Sequence, residues 1–117
     1  MIRFGPAGNS DSFYASGRKH TWQAFEWLSN MGLNAFEYPF GRGVRMRKET
    51  GEKIAEHAGA FDVRLSLHAP YYINLSTDDS ERQEKNMEYF FQCAEAARYL
   101  NAVRIVFTRN IYHIEFS

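Results

Sequence analysis

A histidine, a carboxylate and two adjacent tyrosines are the residues here whose types and spacing suit chemistry. His68 ends the run "VRLSLH" at 63–68, and "APYYINL" follows it. Neutral imidazole offers a lone pair near pH 7 and is a common zinc ligand. A histidine so placed either ligates a metal or hydrogen-bonds a loop backbone, and both readings stand. Glu37 lies near the end of the apolar stretch "LNAFEYPF". Its carboxylate could ligate a metal, act as a base, or anchor an arginine such as Arg42 or Arg45. Tyr71 and Tyr72 follow His68 in the same loop. Adjacent exposed rings stack on bases or wedge into a duplex, or else they simply pack over the loop. Asn74 would fix that loop through its side-chain amide. "GRGVRMRK" at 41–48 gathers Arg42, Arg45, Arg47 and Lys48, a local basic patch that either meets phosphates or is solvated surface. His20, His57 and His113 have no metal-ligand spacing among themselves, and the first two are expected at the surface.

These residues need a frame. Residues 2–5 are a strand candidate broken by Gly5-Pro6, and 7–18 read as a loop. Trp22, Phe25 and Leu28 recur at helical spacing within 19–31, with Gly32 as a stop. Residues 33–38 form a second strand, 47–58 a second helix despite Gly51, and 63–68 a third strand. "SERQ" at 80–83 fits a capping box. The helix it opens carries Met87, Phe90, Phe91, Ala94 and Ala97 as its expected buried stripe. Residues 103–107 are a fourth strand. The order β-α-β-α-β-α-β predicts parallel strands with helices between them.

Strand phase separates the two architectures this order allows. Val63, Leu65 and Leu67 share one face, and Arg64, Ser66 and His68 share the other. Strands of an open doubly wound sheet are apolar on both faces. An apolar face toward helices and a polar face toward an interior suits a (β/α)8 TIM barrel, whose sites sit at strand C-terminal ends. A barrel has eight strands and this chain accounts for four, so about half a barrel is expected. No G-x-G-x-x-G loop follows the first strand, which argues against dinucleotide binding.

Composition narrows the classes further. The chain has 117 residues, enough for one domain. Lys plus Arg equals Asp plus Glu at 14 each, so total charge does not signal a nucleic-acid binder. Cys93 is the one cysteine, which excludes an internal disulfide and points to a reducing, cytoplasmic setting. It is expected as a small core residue rather than a nucleophile. No apolar run is long enough to span a bilayer.

"LHAPYYINL" resembles the endonuclease IV family of apurinic/apyrimidinic endonucleases, within the xylose isomerase-like TIM barrels. The resemblance implies a zinc-dependent DNA repair hydrolase that cuts the phosphodiester 5′ to an abasic site. His68 then falls on a zinc ligand. Tyr71 and Tyr72 fall on a loop that enters the minor groove of damaged double-stranded DNA, with Arg42 near a second such loop and Asn74 beside the tyrosines. The abasic nucleotide would be turned out of the helix, as in base flipping. Sugar isomerases and epimerases share the barrel and are the rival reading, with Glu37 as a working carboxylate. A third reading is a non-catalytic half barrel that oligomerises through its open edges.

One departure from the family bears on activity. The family's fourth strand ends Phe-His-Pro, and its histidine ligates zinc. Here the residues are Phe107-Thr108-Arg109. Thr108 holds the ligand position and is a poor zinc ligand. With TTC CAC CCG chosen as codons for Phe-His-Pro, loss of one C gives Phe-Thr-Arg. Residues 1–107 are therefore expected as the N-terminal half barrel and 108–117 as a divergent, out-of-frame tail. The chain alone is expected to be inactive. A coding sequence in which no neighbouring frame restores the histidine would sink the frameshift.

Overall fold

The structure, a computed structural model, describes residues 2–40, 44–70 and 78–107, and the backbone of 112–115. Its sheet has the order β1-β2-β3-β4. The strands β1 (Ala35–Pro39), β2 (Arg64–His68) and β3 (Arg104–Phe107) pair in parallel, and β4 (Tyr112–Glu115) joins β3 antiparallel. The three parallel strands coincide with the second, third and fourth runs expected from sequence.

The expected first strand is not regular. Residues 4–8 do run alongside β1, where Phe4 O accepts from the amides of Asn34 and Ala35 and Pro6 O accepts from Glu37 N. Only Ala7 makes a ladder bridge, parallel to Glu37. Proline cannot donate to a ladder, and Gly5 comes so close to β1 that a Cβ there would lie 1.5 Å from Ala35 O. Arg3 ties this segment down at the N-terminal end of the sheet. Its guanidinium donates to Asn34 O at 3.1 Å and to Asp62 O at 2.8 Å.

The helices follow the sequence pattern with four corrections. Residues 7–18 hold a short helix, α1 (Asp11–Ala15), capped by Ser10 and anchored by fully buried Phe13. The expected helix at 19–31 splits into a 3-10 turn at Thr21–Gln23 and α2 (Ala24–Asn30). Gln23 reaches back to accept from the amides of Lys19 and His20, both at 2.9 Å. Phe25 meets Phe36 of β1 edge-on at 5.6 Å. Gly32, at φ 77°, reverses the chain as expected. α3 (Lys48–Ala60) accommodates Gly51 because that glycine is a contact point: an added Cβ would lie 2.6 Å from Cβ of Tyr99.

The long helix α4 (Ser80–Leu100) is capped one residue earlier than the capping box implies, by Asp79 rather than Ser80. The Asp79 carboxylate accepts from Glu81 N at 3.0 Å. Its buried stripe is also rotated from the expected one. Asn86, Cys93, Ala96, Ala97 and Leu100 are buried, whereas Met87 and Phe91 are 49% and 62% exposed. Cys93, Ala96 and Ala97 lie inward because α4 packs closely on α3 and the sheet, which leaves the larger Met87 and Phe91 outside.

Strand phase matches the sequence expectation. Leu65, Leu67, Ile105 and Phe107 join the core on the helix side of the sheet. The other face carries Ala35, Glu37, Arg64, Ser66, His68, Arg104 and Val106, none of them buried. That is the inward face of a partial barrel, with Arg64 and Arg104 exposed and the other five residues part-buried.

Candidate functional site

The site candidates gather where β1 and β2 end. Parallel register pairs Glu37 with Ser66 and Pro39 with His68, so Glu37 and His68 project from the same face, two residues apart along the strands. The backbone beyond them is pinned. Phe40 N donates to His68 O at 3.0 Å, and Ala69 N donates to Val106 O at 2.9 Å. Ala69 and Pro70 are fully buried, which fixes the chain immediately after the histidine.

Glu37 Oε1 lies 2.6 Å from His68 Nδ1. An ionised carboxylate only accepts, so Nδ1 carries the proton and donates it to Glu37. In the neutral ring the lone pair then sits on Nε2, the tautomer suited to metal ligation or to accepting a proton. Among the described residues, Nε2 has no hydrogen-bond partner. The two side chains keep 30% and 25% exposure, so a ligand can reach them.

Sequence treated these residues as separate candidates, and the structure joins them. Glu37 does not anchor Arg45, which is exposed. The phase of residues 33–38, with Phe36 buried and Glu37 opposite, puts Glu37 on the face of His68, while the register that sets the two side by side leaves no mark in the sequence. The other candidates, Tyr71, Tyr72, Asn74, Arg42 and Thr108, lie outside the described residues.

As a metal centre the pair is incomplete. Among the described residues no group of three or more His, Cys, Asp or Glu is placed to hold an ion. A catalytic zinc takes three protein ligands, and among the described residues one imidazole is present with its neighbouring carboxylate engaged at Nδ1. The described residues do not by themselves fit a resident zinc.

The remaining candidates have structural surroundings. Cys93 is fully buried, and burial pushes its thiol from 9.0 up to about 12, as expected of a core residue. His57 is half-buried rather than on the surface, with its ring 4.9 Å from that of Trp22. His20 is exposed and stacks on the same indole at 6.0 Å.

Parallel strands apolar toward helices, with polar groups at their C-terminal ends, define part of a TIM barrel. The chain belongs to the xylose isomerase-like TIM barrel family, whose pattern matches residues 25–115. It is 30% identical over 95 residues to an uncharacterised protein of Methanocaldococcus jannaschii, a match covering 81% of this chain and 32% of that protein. Among solved structures it is similar to endonuclease IV from Thermus thermophilus. That likeness has a TM-score of 0.55 and 25% identity, over 74% of this chain and 34% of the enzyme. The chain thus spans about a third of the length of the relatives it matches. Among the described residues no helix is long and apolar enough to cross a membrane.

Proposed function

We propose that this chain is the His68-bearing N-terminal part of a zinc-dependent apurinic/apyrimidinic endonuclease, a DNA repair hydrolase acting 5′ to abasic sites. The observation that supports this reading most is the Glu37–His68 contact at the C-terminal strand ends. It is the carboxylate–histidine arrangement that orients an imidazole for a metal. The likeness to endonuclease IV supports the same reading. In it, His68 offers Nε2 and Glu37 holds the ring. Tyr71, Tyr72, Asn74 and Arg42 meet damaged DNA, and Thr108 leaves a ligand position empty of imidazole. One described ligand, His68 Nε2, is too few for hydrolysis, so the chain alone binds DNA but does not cut it.

A second reading keeps the barrel and changes the substrate. Glu37 and His68 together face the interior, where a carboxylate and an imidazole could move protons on a sugar. A sugar isomerase or epimerase would use them so.

Duplex binding separates the two. The nuclease reading expects the chain to prefer a duplex with one abasic-site analogue over the intact duplex by about tenfold, measured by fluorescence anisotropy. The double change Tyr71→Ala, Tyr72→Ala removes that preference. Equal binding of both duplexes would overturn the nuclease reading. Saturable monosaccharide binding, lost in Glu37→Gln, would establish the sugar reading instead.

A further inference from the structure

The opposite side of β1 carries a second concave feature that neither reading uses. Tyr38 points away from Glu37, toward the helices, and packs on Phe40 at 5.1 Å. Next to it, between the 3-10 turn and α3, lies a cavity of about 410 Å³. Lys19, His20, Thr21, Trp22, Thr50 and Lys53 line it, and no acidic residue does. Its volume is in the range of small-molecule sites.

The charge of this cavity is unbalanced. Among the described residues, neither Lys19 nor Lys53 has a carboxylate oxygen within 4.0 Å. Lys53 has Glu49 one helical turn before it and Glu56 three residues after it, yet pairs with neither. Its Nζ instead lies 4.3 Å from the centroid of the Trp22 ring. The indole holds the ammonium at the cavity wall through its negative face. His57, 4.9 Å from the same ring, fixes the indole in turn. Thr21 Oγ1 accepts from Asn9 Nδ2 at 3.3 Å, which leaves its own proton to donate. Two cations and hydroxyl donors around one small space are the complement of a compact oxyanion.

We propose that this cavity is a binding site for the phosphate group of a small phosphorylated molecule. It lies across the sheet from His68, so it is independent of the proposed nuclease site. Lys19 and Lys53 supply the charge, Thr21 and Thr50 the neutral donors, and Trp22 the wall that orders Lys53.

The test is a titration of the full chain with inorganic phosphate and with glycerol 3-phosphate, followed by the Trp22 indole N–H resonance. Sodium chloride at matched ionic strength is the control. A saturable shift with both phosphates is expected and none with chloride. Lys19→Met and Lys53→Met should each weaken binding about tenfold, while Lys53→Arg keeps it and His68→Ala does not change it. Thermal melts of each variant check that it is folded. No saturable shift up to about 10 mM phosphate would overturn the proposal. So would full binding by folded Lys19→Met and Lys53→Met, or a response to duplex DNA but to neither small phosphate.

Discussion

Glu37 and His68 are 31 residues apart in the chain and 2.6 Å apart in space. His68 was legible from sequence because it ends an alternating run, and alternation fixes the face on which the last side chain falls. Its partner was not legible, because which residue stands beside it depends on the register between two strands. Cys93 was legible for the opposite reason, since a small sulfur-bearing side chain within an amphipathic helix belongs in a core. Its thiol is raised from 9.0 to about 12 by burial, so the folded state holds the proton more tightly than the unfolded chain. That stability is fully present below pH 9.0 and is lost as pH rises toward about 12. Urea melts between these limits should show stability falling with pH, and Cys93→Ala should flatten the slope. An equal slope in the variant would show that other groups carry the effect. The native thiol should also resist alkylation at a pH of about 8 until denaturant is added.

At the scale of elements, helices and parallel strands were readable wherever apolar residues kept a period. The first strand was not, because the close approach of Gly5 to Ala35 O is a contact between backbones and leaves no periodic trace. Two glycines of α3 make the same distinction within one helix. An added Cβ at Gly51 would sit 2.6 Å from Tyr99 Cβ, an atom fixed to the backbone of α4, whereas at Gly59 it would meet nothing within 4 Å. Gly51→Ala should therefore destabilise the fold by about 1–3 kcal/mol through overpacking. Gly59→Ala should stabilise it by about 0.5–1 kcal/mol through helix propensity. Chemical denaturation of the two variants checks both signs. Equal effects would mean that α3 and α4 do not touch at Gly51.

At the scale of the molecule, no residue on the inward face of β1, β2 and β3 is fully buried among the described residues, and α4 turns Met87 and Phe91 to solvent. The half-barrel expectation came from counting strands, and the exposed faces are its physical counterpart. Exposed apolar side chains and a partly exposed sheet face both favour association. Sedimentation velocity over about a hundredfold concentration range should show reversible self-association of the chain. The double change Met87→Lys, Phe91→Lys should weaken it without loss of helix content. A single monomer boundary throughout would show that these faces tolerate water.

The last strand, β4, bonds antiparallel along the side of β3 that faces away from β2, pairing Ile105 with Ile114 and Phe107 with Tyr112. A barrel adds its next parallel strand along that same row of amides and carbonyls. The two are rivals for one ladder, and neither can form while the other is in place. Residues 112–115 therefore hold the place of a fifth barrel strand, and the edge this sheet offers to a neighbouring chain is that of β4 rather than β3.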